Sequence, residues 1–135
     1  MNRSATIELD EFLPHPVAVV WDALTNRERL AAWLMPNDFV LEVGRRFKLD
    51  TGTWGMTECE VLAFEPERFL RYSWRNAPLD TEVTWRLVPE GTGTRLLLEH
   101  RGFDHPAQRA AYEGMRGGWR SIVRDGLRRH LATGG

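Results

Sequence analysis

The feature that most constrains the fold of this chain is a series of segments in which apolar and polar residues alternate. The pattern recurs between Met56 and His100, and turn sequences such as Pro-Glu-Gly-Thr-Gly at 89–93 separate the segments. A period of two puts successive side chains on opposite faces of a strand, so each segment has one apolar face and one polar face. Strands of this kind are typical of an antiparallel sheet that is covered on one side only.

The apolar faces of the predicted strands are rich in large residues. The residues predicted to point inward are Leu70, Tyr72 and Trp74, then Val83, Trp85 and Leu87, and then Leu96, Leu98 and His100. In the run 56–65 the alternation puts Ala63 inward, together with Cys59 and Val61. Glu58 and Glu60 are left on the solvated face.

Two short helices are predicted after a first strand over residues 5–12. Pro16 suits a first helical position, and the residues that follow it at helical spacing are Val17, Val20, Trp21 and Leu24. Thr25 and Glu28 have the spacing of a capping box, which predicts a second helix that ends before Pro36. The pair lacks the third helix and the free polar face of a DNA-reading motif, so its favoured role is to close one end of the sheet.

The cover for the apolar face is predicted to be one long helix over about 106–131. At 100° per residue, one sector of this helix contains Ala111, Tyr112, Met115, Gly118, Trp119, Ile122, Val123 and Gly126. Arginines at positions 116, 120, 124 and 128 form a stripe beside that sector. We expect them to neutralise Glu113, Asp125 and acidic groups on the sheet, while their stems cover apolar surface.

These elements predict an α+β fold. A curved antiparallel sheet of about six to seven strands wraps around the long C-terminal helix, with the two short helices after the first strand. Alternating runs around Phe39 and Phe47, on either side of Val43-Gly44, add a hairpin to this sheet. The 135 residues suit one core, so residues 1–135 are predicted to form a single domain.

Charge and composition argue against several classes of partner. The formal net charge is -1, and a nucleic-acid binder needs a positive excess for its phosphate contacts. No apolar run approaches the roughly 18 residues of a membrane span, and the N-terminus lacks the apolar stretch of a signal peptide. We therefore expect neither a nucleic acid nor a membrane as partner, and a cytoplasmic location. Cys59, the only cysteine, is interpreted as a small buried side chain rather than a reactive thiol.

Several motifs together resemble one known superfamily. They are His15-Pro16 to Val20-Trp21, Ala23-Leu24-Thr25 to Trp33, Pro36, Leu70 to Trp74 after Pro66, Thr94 to Leu98 ending in His100-Arg-Gly-Phe103, and Gly118-Trp119. The pattern spans about residues 5–131 and is similar to the START-like (SRPBCC, helix-grip) superfamily. It most resembles bacterial relatives of the C-terminal domain of the heat-shock ATPase activator. This family shares residues that determine shape and has no common catalytic set.

The resemblance implies a cavity between the concave face of the sheet and the long helix, where relatives hold apolar or aromatic small molecules. Inward tryptophans, and Gly118 and Gly126 on the inward face of the helix, also favour open space there. A solid core, in which rings fill the space over the glycines, is the alternative. The predicted ligand-binding residues are Trp33, Phe39, Phe47, Trp54, Tyr72, Trp74, Trp85, Leu98, His100, Met115, Trp119 and Ile122. Trp33 is expected at the cavity mouth and Trp21 is assigned to the core, whereas Trp54 is expected either at the cavity rim or as an incidental exposed aromatic residue.

His100 is the polar residue that the alternation turns inward. A buried imidazole needs a hydrogen-bond partner, and Tyr72 or a carboxylate is a candidate. A structural role is favoured over an acid, base or ligand-orienting role. Asp104 and His105 follow in the chain, but their spacing from His100 matches no standard zinc or iron pattern. The sequence therefore predicts no metal, no cofactor and no catalytic residue.

The favoured hypothesis is non-catalytic binding of a small apolar or aromatic molecule beneath the C-terminal helix. An enzyme of the cyclase, hydratase or hydrolase kind, with His100 as acid or base, is the alternative. A co-chaperone-like interaction module, in line with the family's link to stress response, is the third. A chaperone partner is disfavoured because the eukaryotic activator uses an additional N-terminal domain for which this chain is expected to have no room. A homodimer is a possibility that the sequence leaves undecided.

Overall fold

A computed structural model describes residues 5–51, 55–76, 79–103 and 108–133. The elements within these ranges are, in chain order, β1 (Ala5–Leu13), α1 (Val17–Thr25), α2 (Arg27–Trp33), β2 (Arg46–Asp50), β3 (Met56–Glu65), β4 (Phe69–Asn76), β5 (Leu79–Glu90), β6 (Gly93–Phe103), α3 (Arg109–Ser121), a π-helical segment (Ile122–Leu127) and α4 (Arg128–Ala132). The predicted α+β order of one strand, two short helices, a run of strands and a final helix is confirmed.

The strands that the structure describes form one curved, unclosed sheet in the order β1-β6-β5-β4-β3-β2. All neighbours in the sheet are antiparallel. One row of buried residues crosses four strands in register, with Leu9 opposite Leu98, Leu98 opposite Trp85 and Trp85 opposite Leu70. Rows of this kind make up the concave apolar face, because side chains two apart on a strand share a face.

A β-bulge in β3 corrects one inward assignment. Val61 lies opposite Tyr72 and points inward, but the register then shifts, and Ala63 lies opposite Arg71 on the outer face. A bulge inserts one extra residue and so reverses the alternation beyond it. Phe64 takes the inward place, and its ring lies 6.5 Å from that of Trp21. The prediction that Ala63 points inward is therefore wrong.

The predicted hairpin around residues 39–49 is also wrong in its first strand. Only β2 forms, and Asn37 contributes a single bridge to Leu49. The Asn37 side chain accepts a hydrogen bond from the N–H of Phe39 at 3.0 Å and donates to the carbonyl of Met35 at 3.0 Å. Asparagine side chains compete with sheet ladders in this way. Phe39 is buried as a side chain, with its ring 4.9 Å from that of Phe47.

The C-terminal helix runs over residues 109–132, since the junctions around the π-helical segment keep right-handed helical angles. Its fully buried residues are four apart: Trp119, Val123, Leu127 and Leu131. In a regular α-helix such a series drifts about 40° around the axis at each step. The wider turn of the π-helical segment opposes this drift and brings the last two leucines, which the α-helical wheel left out of the predicted inward sector, onto the core face.

Ion pairs fasten this helix to the edge strand β1. Arg124 Nε lies 2.8 Å and Arg128 Nη2 lies 3.0 Å from the carboxylate oxygens of Glu11, whose side chain is only 10% exposed. The prediction that the arginine stripe meets acidic groups of the sheet is thus confirmed for these two residues. In the described ranges neither Glu113 nor Asp125 pairs with an arginine.

The N-cap of α2 gives a test of the local structure. Asn26, not Thr25, caps this helix, and its side-chain oxygen accepts from the N–H groups of Glu28 (3.0 Å) and Arg29 (3.2 Å). Asn26→Ala is expected to lower the free energy of unfolding by about 1 kcal/mol, because two helix N–H groups lose their acceptor. Urea titration measures the change. Glu28→Ala is the control and is expected to cost less, whereas an equal loss would indicate the capping box that Thr25 predicts.

Candidate functional site

A pocket of about 390 Å³ lies between the first half of the C-terminal helix and the end of the sheet where β4 ends and β5 begins. On the sheet side its walls include Thr57 of β3, Trp74 and Asn76 of β4, and Leu79 of β5. Met35, which follows α2, closes another side. Residues of three strands of the curved sheet therefore form the floor of this pocket.

Part of the helix face over the pocket, which forms its roof, carries only small residues. Ala110, Gly114 and Gly118 line the pocket at intervals of four residues, which puts them on one side of the helix. A Cβ atom at Gly114 or Gly118 would meet no atom within 4 Å. Gly126 differs, because a Cβ there would lie 3.0 Å from the carbonyl oxygen of Trp33. Gly118 is half-buried and leaves space inside the pocket, Gly114 is exposed and lies where the pocket meets solvent, and Gly126 allows the helix to approach α2.

The pocket wall carries no ionisable side chain among the residues that the structure describes. Its polar groups are the hydroxyls of Thr51 and Thr57, the amide of Asn76 and the indoles of Trp74 and Trp119. Asn76 Nδ2 donates to the Thr57 hydroxyl at 3.2 Å. Such a lining favours a neutral occupant, because burying an unpaired charge is costly.

Behind the pocket, aromatic rings connect the helix to the sheet and to α2. The ring of Trp119 lies 5.5 Å from those of Trp74 and Trp85, and Trp85 lies 6.0 Å from Trp33. All three contacts are edge-to-face, the arrangement that the charge distribution of aromatic rings favours. Beyond Trp119 these rings pack on one another, and the pocket lies on the side of the small residues.

His100 sits within these rings and makes two hydrogen bonds. Trp119 Nε1 donates to His100 Nδ1 at 2.9 Å, and His100 Nε2 lies 2.7 Å from the Thr81 hydroxyl, which donates to the Trp74 carbonyl at 2.9 Å. Because Nδ1 accepts, the proton of the neutral ring is on Nε2. Burial lowers the pKa of His100 from its ordinary value of 6.5 to about 3.

This arrangement corrects the expected partners of His100, which are Trp119 and Thr81 rather than Tyr72 or a carboxylate. Tyr72 instead accepts from Trp85 Nε1 at 3.0 Å, and burial raises the pKa of its hydroxyl. A fully buried imidazole that stays neutral at pH 7 is poorly suited to acid or base chemistry. Among the described residues no cluster could hold a metal ion, and Asp104 and His105 lie outside them.

Four of the twelve predicted ligand-binding residues line the pocket: Trp74, Met115, Trp119 and Ile122. The structure places seven others in the packed core instead, namely Trp33, Phe39, Phe47, Tyr72, Trp85, Leu98 and His100. Trp54 lies outside the described residues. Neither tryptophan of the two short helices lines the pocket, since Trp33 is 5% exposed and donates to the Ala23 carbonyl, and Trp21 is partly buried and packs against the core.

Pattern reasoning missed most of the small and polar residues of the pocket. Gly114 and Ala110 form an i, i+4 series with Gly118, and this series could have been found in the sequence. Thr57 and Asn76 had no comparable signal, because they sit at strand ends where alternation says little about space. Cys59 is buried as predicted, and burial raises the pKa of its thiol.

A second concavity, of about 360 Å³, lies on the outer face of the sheet. Its lining includes Arg46, Lys48, Glu58 and Arg75, which alternate in sign across neighbouring strands. Arg75 Nε lies 3.1 Å from an Asp80 carboxylate oxygen, which is an exposed pair of small energetic value. This surface resembles an ordinary solvated sheet face more than a ligand site.

An open antiparallel sheet that grips a long C-terminal helix, with an apolar pocket between them, defines a START-like helix-grip protein. The model of the family described as activator of Hsp90 ATPase homolog 1-like protein matches residues 14–132. The chain belongs to this family, as its motifs predicted. Membership supports a ligand-binding domain in general.

Solved structures of the same fold are numerous. Protein MLL2253 from Mesorhizobium loti has a TM-score of 0.87 and 38% identity, over 96% of this chain and 98% of that one. Protein BH1534 from Bacillus halodurans has a TM-score of 0.84 and 28% identity, over 96% and 99%. DynU16, from the dynemicin biosynthetic locus, has a TM-score of 0.82 and 25% identity, over 96% of this chain and 48% of that one. A search of curated proteins found no match. No helix of the described ranges is long and apolar enough to cross a membrane.

The buried neutral state of His100 predicts a loss of stability in acid. Its pKa in the folded chain lies below the ordinary value of 6.5, so the unfolded chain binds the proton first as the pH falls. The stabilisation is complete above about pH 6.5 and declines toward pH 3. Between pH 7.5 and pH 5 the loss is expected to be about 2 kcal/mol.

Urea unfolding at the two pH values measures this loss, and His100→Gln, which retains one donor and one acceptor, is expected to remove most of it. His130→Gln is the comparison. Burial and Arg29 also lower the pKa of His130, but this side chain is only partly buried, so its share should be smaller. An unchanged pH dependence in His100→Gln would contradict the assignment.

Proposed function

We propose that this protein binds a small, neutral and largely apolar molecule in the pocket beneath the C-terminal helix, without catalysing its conversion. The observation that carries the proposal is the helix face at Gly118, a half-buried residue that lines the pocket and at which a Cβ atom would meet no atom within 4 Å. Small-molecule sites are typically clefts of about 300–1,000 Å³ with mostly apolar walls, so this cleft of about 390 Å³ is a candidate binding site.

The chemistry of the lining supports binding more than turnover. Acid, base or nucleophilic catalysis needs a titratable or activated group within reach of the reacting atom. The described walls hold apolar side chains, two threonines, an asparagine and two indoles. His100, the acid or base of the enzyme hypothesis, has both ring nitrogens in hydrogen bonds with Trp119 and Thr81.

The size of the pocket sets the expected affinity. Apolar burial contributes about 25 cal/mol per Å², so removing about 400 Å² of ligand and pocket surface from water gains about 10 kcal/mol. Association costs at least about 4 kcal/mol, which leaves at most about 6 kcal/mol and a Kd of tens of micromolar or weaker for a purely apolar probe. DynU16 lies in a biosynthetic locus, and this setting is compatible with a small-molecule occupant here.

Two neighbouring glycines provide the test. Gly118→Leu places a side chain in the pocket, whereas Gly117→Leu places the same side chain on the exposed face of the helix. Either change should stabilise the helix by about 1 kcal/mol, because leucine is the better helix former. Binding of the neutral fluorescent probe N-phenyl-1-naphthylamine is expected to weaken at least about tenfold in Gly118→Leu and to stay unchanged in Gly117→Leu.

Thermal unfolding of both variants checks that the helix has gained stability and that the fold is intact. If the probe bound to Gly118→Leu as tightly as to Gly117→Leu, the pocket would not be the binding site and the proposal would fail.

A further inference from the structure

The buried tryptophans differ in whether their indole N–H groups have a hydrogen-bond acceptor. Trp33 donates to the Ala23 carbonyl at 2.8 Å, Trp85 to the Tyr72 hydroxyl at 3.0 Å, and Trp119 to His100 Nδ1 at 2.9 Å. Trp74 is buried to the same degree, at 4% exposed, yet its indole N–H has no acceptor among the residues that the structure describes. Buried indole N–H groups ordinarily have a partner, so this one calls for an explanation.

The free N–H of Trp74 borders the pocket. Among the described residues, His130 Nε2 is the one side-chain nitrogen or oxygen that is both sealed from solvent and without a hydrogen-bond partner. Trp74 Nε1 lacks a partner as well, so it is not sealed from solvent. The indole nitrogen of Trp74 therefore has access to open space, and the pocket is the open space that this side chain lines. The other contacts of its ring, to Trp119 and His100, are ring packing at 5.5 Å.

The surroundings of Trp74 indicate what could accept this hydrogen bond. Asn76 lies two residues further along β4 on the same face and bonds to Thr57, so the sheet side of the pocket is its polar end. The helix side, with Ala111, Met115 and Ile122, is apolar. No cation lines the described walls, so a carboxylate or phosphate would be buried without a counter-charge.

We infer that Trp74 is a specificity-determining residue, and that the ligand is an apolar or aromatic molecule with a neutral hydrogen-bond acceptor, such as a carbonyl oxygen, that accepts from the Trp74 indole. The inference rests on the proposed function and adds the chemical class of the occupant. An apolar ligand without an acceptor would bury the N–H of Trp74 unpaired, and sites with such a donor discriminate against analogues that leave it unpaired.

A matched pair of ligands tests this inference. In 2-acetylnaphthalene a carbonyl oxygen takes the place of the terminal =CH2 group of 2-isopropenylnaphthalene, so the two molecules have nearly the same shape and differ in one acceptor. Calorimetric titration gives the ratio of their Kd values for the wild-type chain and for Trp74→Phe, which keeps a ring but removes the donor. The ratio is expected to favour the ketone about tenfold more in the wild-type chain than in Trp74→Phe.

A spectroscopic measurement on the wild-type chain supplies a second readout. The indole ¹H–¹⁵N resonance of Trp74, assigned through its own side chain, should shift downfield with the ketone and much less with the alkene. In the free protein its proton should exchange with solvent faster than those of Trp33, Trp85 and Trp119, whose partners protect them. These measurements decide the question even if Trp74→Phe fails to fold.

The outcomes separate the two proposals. Equal ratios in both chains, or a Trp74 resonance that responds alike to both ligands, would overturn the assignment of Trp74. If both ligands also bind wild type and lose affinity in Gly118→Leu, the pocket remains the binding site. If neither ligand binds wild type, or both bind equally to Gly118→Leu, the proposed function itself fails.

Discussion

The structure depends most on the place where the C-terminal helix is fixed to the sheet, and that place is the Trp119 side chain. Its indole donates to His100 of β6, and its ring packs edge-on against Trp74 and Trp85. The hydrogen bond holds the imidazole in one neutral tautomer, and burial keeps it neutral by lowering its pKa. Polar and apolar contacts thus act at one point, while Arg124 and Arg128 hold the rest of the helix to β1 through Glu11.

The half of the helix before Trp119 has no fully buried side chain, although Tyr112 and Met115 pack against the edge of the core. Glycine in a helix costs up to about 1 kcal/mol relative to alanine, yet Gly114, Gly117 and Gly118 all occur there. At Gly118 the missing side chain lowers helix stability and leaves room beneath the helix. Residues that disfavour their local structure are expected where function competes with stability. Gly126 has another cause, because there the helix backbone approaches the Trp33 carbonyl.

Much of the fold could be predicted because alternation is a local property of a strand. The inward set of β4, β5 and β6 followed from it, including His100, a polar residue on an apolar face. The errors arose where one residue broke the local rule. A bulge after Val61 turned Ala63 outward, the Asn37 side chain replaced a ladder beside Phe39, and Asn26 took the cap that Thr25 was expected to form.

The candidate site could be predicted less well, since facing inward is a different property from bordering a space. By itself the sequence determined which helix covers the sheet and, except beyond the bulge in β3 and in the last turns of that helix, which residues face the interior, because both follow from the periods of strand and helix. Only the tertiary structure decided which inward rings contact only other core residues, as Trp85 does, and which also border the pocket, as Trp74 does. The pocket exists because elements that are distant in the chain pack together without filling the space between them, and no local sequence pattern predicts that space.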